Sequence, residues 1–227
     1  MSEVFISSFD SRLEGRYHQS SMEGAPLVIL LHPEPKLRET MNNKVVYTLY
    51  QTFVSLGFSV LRFNFRGVGK STGEVNPEEN WQLSDAITAL DWIQAKNLES
   101  TVCWVAGVGQ GSFVGMQLLM RRPDLSGFVS VSPYSHSADY SFLVPCPASG
   151  IIVQDGKSGP EIEAQSRTLA ERLNAQKHVK VDYLSFPEAD IQYTHYLKPL
   201  YDVLKEKIPE VLKHKAYKNR KSSVPFI

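Results

Sequence analysis

Apolar periodicity switches from the strand type to the helix type and back along almost the whole chain, and this alternation constrains the fold more than any single motif. "EVFISSF" and "GRYHQ" flank a polar turn and predict an opening hairpin. A continuous apolar run, 25–32 ("APLVILLH"), predicts a strand buried on both faces, and 42–57 then carries apolar residues at helical spacing and ends on Gly57. The same alternation continues with strand 58–65, helix 83–97, strand 101–107, helix 112–124, strands 127–132 and 149–154, helix 161–176, strand 179–186 and helix 197–214. Strands separated by helices imply an α/β fold with a mostly parallel central sheet, an N-terminal hairpin and helices on both faces.

The connections are short and no internal repeat or low-complexity linker marks a second domain, so 1–212 reads as one domain. Residues 213–227 leave the pattern with five Lys or Arg between Lys213 and Lys221, and are expected to form a basic, flexible tail. The 24 basic and 24 acidic residues of this 227-residue chain cancel, so no net field favours nucleic acid or an anionic membrane. With no signal-like start and no long apolar run, a cytoplasmic protein is expected. Cys103 and Cys146 are far apart and read as buried free thiols, which leaves no disulfide framework or zinc knuckle.

In an open parallel sheet, ligands bind where strands end and helices begin. The turn "VAGVGQGSF" places Gly107, Gly109 and Gly111 on alternate positions between a strand and a helix. A phosphate cradle needs such an order, but Ser112 stands where a third fingerprint glycine would fall, and "GFVSVSPYS" brings no acid for a ribose. "RGVGKSTG" lacks the spacing of a phosphate-binding loop. Gly107-Val108-Gly109-Gln110-Gly111 instead has the frame G-x-S-x-G of a nucleophile elbow, with Gly109 in the middle. His32 and Glu34, at another strand end, suggest a metal pair. No second carboxylate or i, i+4 His accompanies them, so a structural histidine with a solvated glutamate is expected. Tyr47, Tyr50, Trp81 and Trp92 read as core or groove fillers.

With "LLHPEP", "MNNKVV", "SVLRFNFRGVGKSTG", "LDWIQ" and "GMQLLMRRPDLSGFVSV", the chain resembles a family of lidless bacterial α/β-hydrolase-fold proteins of the dienelactone-hydrolase and acyl-peptidase kind. Members read roughly LHPHP, RFNFRGVG and GFSFG. The resemblance implies an α/β-hydrolase fold without a lid domain, a structural role for Gly107 and Gly111, and an arginine, Arg66, that braces neighbouring loops or, alternatively, binds a carboxylate or phosphate. It also places the family's serine on Gly109, its acid on Ser158 and its base on Ile191, none of which can play the part. Where the family has two glycines near the oxyanion site, this chain has Arg38 and Glu39, in a stretch that also holds His32, Glu34, Lys36 and Leu37 and faces Gln110. The expectation is a pseudoenzyme without metal or cofactor that keeps the cleft for a small molecule or protein. The alternative is a serine hydrolase with a relocated triad of Ser112, Asp190 and His195, Asp155 lying three residues before Ser158.

Overall fold

The structure, a computed structural model, describes residues 1–35, 38–76, 79–133 and 139–222, with side chains as far as Lys213. Lys36 and Leu37, and residues 223–227 of the expected tail, lie outside the described residues.

A nine-stranded sheet runs through the molecule. Strands β1 (Ser2–Ser7) and β2 (Ser11–His18) form the antiparallel hairpin, with a tighter turn than the sequence pattern suggests. Antiparallel pairing joins β2 to β4 (Ser59–Phe63). From β4 onward the ladder is parallel through β3 (Leu27–Leu31), β6 (Cys103–Val108), β7 (Leu125–Val131), β8 (Ser149–Asp155) and β9 (Val181–Phe186). A two-residue strand, β5 (Thr72–Gly73), pairs with β2 and has no periodic signature that could have announced it.

Each parallel strand feeds a helix or a turn that returns across one face. Strand alternation divides the core between those faces. Val28 and Leu30 pack with Val45, Val46, Leu49 and Phe53 of α1 (Lys44–Ser55) and with Leu200, Leu204 and Ile208 of α5 (Leu197–Ser222). Ile29 and Leu31 meet the opposite core, which holds α2 (Trp81–Lys96), α3 (Gln110–Arg121) and α4 (Pro160–Asn174). Cys103 and Cys146 are buried free thiols in that second core. Helix α5 continues through Ser222, ten residues past the point where the sequence reading ends the domain. Lys213–Ser222 contains no glycine or proline to stop it.

The loop after β4 is fixed by a buried ion pair. Arg66 and Asp85 are almost fully buried. The Arg66 backbone N–H donates to one Asp85 oxygen at 2.8 Å, and Nε donates to the other at 2.8 Å. One guanidinium nitrogen reaches Asp10 of the hairpin turn at 2.8 Å and the Glu74 carbonyl at 3.2 Å. Arg66 thus ties the hairpin, the loop and α2 together, and its fork is already filled by protein carboxylates. Asp85→Ala would leave the buried arginine with only the half-exposed Asp10 carboxylate to neutralise it and its backbone N–H without a partner. Urea unfolding is expected to show a loss of about 3–5 kcal/mol, and a loss below about 1 kcal/mol would contradict this bracing role.

Candidate functional site

Strand β6 enters α3 through a turn that only glycines can make. A methyl group on Gly107 would lie 2.3 Å from the Gly111 carbonyl oxygen, and one on Gly111 would lie 2.4 Å from that of Leu31. These contacts bring the start of α3 hard against β6 and β3. Between them Gly109 has φ +54° and ψ −119°, a backbone state that costs an L-residue on the order of 1–3 kcal/mol. Its N–H is fixed by the Val131 carbonyl at 2.9 Å. The middle of the turn therefore has elbow geometry and carries no side-chain atom.

The other positions line up at the carboxyl ends of neighbouring strands. Asp155 ends β8, is fully buried, and accepts from the Ser132 hydroxyl at 2.7 Å, Gln154 Nε2 at 2.9 Å, the Ser158 N–H at 3.0 Å and the Ser158 hydroxyl at 2.6 Å. Ser158 is thus a partner of Asp155. The Tyr193 hydroxyl lies 3.3 Å from Ser132 Oγ and extends this buried network towards the loop after β9. Burial of the Tyr193 ring raises its phenol above the usual range. Ile191, in the same loop, is 43 % exposed and offers only hydrocarbon.

Ser112 is buried, and its hydroxyl donates to the carbonyls of Gly107 at 2.7 Å and Val131 at 3.0 Å, so it is turned into the packing of β6 and β7. The Asp190 carboxylate caps its own loop, accepting from the N–H groups of Gln192 at 3.1 Å and Thr194 at 3.0 Å, which hold it below the usual carboxylate range. His195 is exposed on that loop. The structure does not bring these three side chains together: Ser112 faces the sheet, while Asp190 and His195 belong to the loop beyond β9.

His32 proves to be a packing histidine. It is fully buried, its ring tilts against Phe65 at 4.8 Å, and Nε2 accepts from the Phe65 N–H at 3.1 Å while Nδ1 donates to the Pro33 carbonyl at 2.8 Å. Both ring nitrogens are committed to the neutral form. Burial pushes its pKa down to about 4. Among the described residues no group of three or more His, Cys, Asp or Glu side chains is placed to hold a metal ion.

Arg38 and Glu39 behave differently from each other. Arg38 keeps a glycine-like φ of +60° and is exposed. Glu39 is half-buried and accepts from Asn43 Nδ2 at 2.8 Å and Gln192 Nε2 at 3.0 Å. Asn43 also donates to Gln192 Oε1 at 3.1 Å while its own oxygen caps α1 through Val45 N at 2.8 Å and Val46 N at 3.2 Å. These three side chains form a polar latch between the loop after β3 and the loop after β9. Sequence reasoning missed Asn43, Gln192, Ser132 and Tyr193. Of these, only Asn43 had a local signal, as an N-cap before an apolar-periodic run.

On the other side of the turn a cleft of about 250 Å³ remains, walled by Glu34, Trp81, Gln82, Gln110, Phe113 and Gln117. Gln110 Nε2 donates to Gln82 Oε1 at 3.2 Å across it, and Gln82 Nε2 is buried without a partner among the described residues.

A parallel sheet with helices on both faces, a strained strand-to-helix turn at its carboxyl edge and no added lid defines the molecule as an α/β-hydrolase-fold protein. The chain belongs to the X-Pro dipeptidyl-peptidase (S15) family, whose model matches residues 17–222. It is 39% identical over 194 residues to an uncharacterized protein of Rickettsia prowazekii, which covers 84% of this chain and 81% of the relative. A crystal structure of a protein of unknown function from Agrobacterium tumefaciens, a putative α/β hydrolase, superposes with a TM-score of 0.86 at 41% identity, covering 93% of this chain and 97% of that one. A lidless α/β serine hydrolase of Xanthomonas campestris shares the fold at a TM-score of 0.77 and 20% identity, covering 92% and 94% of the two chains. Among the described residues no helix is long and apolar enough to cross a membrane.

The His32 environment has a measurable consequence. In the unfolded chain the ring titrates near 6.5, in the fold near 4. Between those values the unfolded chain takes up a proton that the folded chain does not. The contribution of His32 is therefore complete above about pH 6.5 and falls as the pH drops towards 4, by about 3 kcal/mol in all. Unfolding free energies of the wild type and His32→Gln, measured from pH 7 to 4, are expected to converge on acidification. Parallel curves would contradict the buried neutral state.

Proposed function

We propose that this protein is a pseudoenzyme of the α/β-hydrolase superfamily that binds a small molecule or a protein segment through the former active-site cleft, without metal or cofactor, in the cytoplasm. The observation that carries the reading is Gly109. It occupies the turn where a nucleophile would stand, at φ +54°, and has no oxygen to attack with. Two further features support it. Ile191 can take no proton, and the Ser158 hydroxyl is spent on Asp155. A triad works as a unit, because the hydroxyl needs the imidazole and the imidazole needs the carboxylate to fix its tautomer.

The latch of Glu39, Asn43 and Gln192 supports the same conclusion from the opposite side, since it ties the loop near the oxyanion position to the loop near the base position. The cleft beside Gln110 stays open, lined by amides, the carboxylates of Glu34 and Glu79 and two aromatic rings, and suits recognition by hydrogen bonding and stacking.

Hydrolysis of p-nitrophenyl acetate, paired with labelling by a fluorophosphonate, tests the proposal. Wild-type protein is expected to show neither turnover above background nor labelling. Gly109→Ser alone is expected to stay inactive, because loss of one central triad member costs on the order of 10⁶ in turnover and here the base and acid positions are also empty. The triple change Gly109→Ser, Ser158→Asp, Ile191→His is the smallest set expected to give activity, with Glu39 still beside the oxyanion position. Wild-type turnover abolished by Ser112→Ala or His195→Ala would overturn the pseudoenzyme reading in favour of a relocated Ser112, Asp190, His195 site.

A further inference from the structure

A second groove, whose lining includes no residue of the Gly109 turn, lies on the outer side of α1. It encloses about 780 Å³ between α1 and the start of α5. Tyr47, Tyr50 and Tyr201 give it aromatic walls, Val54 and Leu197 are apolar, and Lys44 and Lys198 stand at its sides; no carboxylate is among the lining residues.

Beneath this groove sits a buried cation that pairs with no carboxylate among the described residues. Arg62, on β4, is 5 % exposed. Its guanidinium lies 5.3 Å from the Tyr47 ring centre and 5.4 Å from that of Tyr50, and the two rings are stacked on each other at 5.7 Å. One terminal nitrogen donates to the Met41 carbonyl and to Asn42 Oδ1, both at 2.9 Å, and the other meets the Met1 sulfur at 3.9 Å. Nε is buried without a partner among the described residues. Cross-strand pairing sets Arg16, which itself pairs with Glu3 at 3.9 Å, directly opposite Arg62. Asn42, Tyr47 and Tyr50 are shared between the arginine's surroundings and the groove lining. Lys44 forms no ion pair among the described residues, and Lys198 pairs with Asp202 along α5.

A buried arginine normally has a carboxylate beside it, as Arg66 does. An aromatic groove with a positive field and no acidic wall selects an anion that carries an apolar body. We propose that the α1–α5 groove is a binding site for an organic acid, a carboxylate or phosphate ester whose flat or acyl portion lies against Tyr47, Tyr50 and Val54 and whose anionic head faces Lys44 and the Arg62 side. The site is separate from the Gly109 cleft and does not depend on the pseudoenzyme reading.

Calorimetric titration of the full chain with phenyl phosphate and 4-phenylbutyrate, against neutral 4-phenylbutanol, tests it. Both acids are expected to bind, the alcohol about tenfold or more weaker, and affinity is expected to fall as salt rises. Lys44→Glu and Tyr47→Ala, both at exposed positions on α1, are expected to weaken the acids at least about tenfold. Gln110→Trp, which fills the other cleft, is expected to leave binding unchanged. Equal binding of acid and alcohol, loss of binding in Gln110→Trp, or no binding of either acid at millimolar concentration would overturn the proposal. So would binding of a Glu-rich peptide in the absence of binding by the small acids, which would make the groove a protein-docking surface.

Discussion

The carboxyl edge of the sheet depends on one contact, the approach of the α3 backbone to β6 and β3 at Gly107 and Gly111. Two backbones can come this close only where no β-carbon intervenes, and at both positions a methyl group would fall within 2.4 Å of a carbonyl oxygen. That approach forces Gly109 to positive φ, aims the first turn of α3 at the cleft and places Gln110 on its wall. The seat of Ser112 follows from the same contact, because the first turn of a helix held this tightly presents its hydroxyl to the carbonyls of Gly107 and Val131.

Around that contact, the groups that hold the loops are separate from those that would do chemistry. Arg66, Asp85 and Asp10 fix the loop after β4, His32 fixes the loop after β3 through Phe65, and Asn43 fixes the start of α1. None of these needs a nucleophile to be present. The edge geometry therefore does not depend on a side chain at position 109, since what maintains the edge lies in buried pairs and backbone hydrogen bonds. Asp155 shows the same separation on β8. Its oxygens are satisfied by neutral donors from Ser132, Gln154 and Ser158, which makes it a buried anchor for two strand ends.

The alternation of apolar runs made the sheet, its helices and their order readable from the sequence, because buried parallel strands and amphipathic helices have different periods. The two-residue strand Thr72–Gly73 was invisible for the same reason, being too short to have a period. Helix α5 outran its expected end because Lys213–Ser222, with four Lys and one Arg, reads as a solvated tail by charge yet carries no Gly or Pro to stop a helix. At the site, the G-x-G-x-G frame and the position of Arg66 were legible since each is a local pattern tied to one backbone geometry. The Glu39, Asn43, Gln192 latch was not: it joins residues 149 and 153 positions apart, and a single sequence carries no signal for such a pairing.

Arg38 and Glu39 are adjacent in sequence and play different parts in the loop after β3. The loop still requires a left-handed residue at position 38, and Arg38 supplies it at φ +60° while its side chain goes to solvent. Position 39 is turned towards the loop after β9, where a carboxylate finds two amide donors in Asn43 and Gln192. Charge-assisted hydrogen bonds to a half-buried carboxylate contribute on the order of 1.5–3 kcal/mol each when made, and leave the carboxylate poorly solvated when lost. Glu39 therefore joins the loop after β3 to the loop after β9 and holds the two in one arrangement.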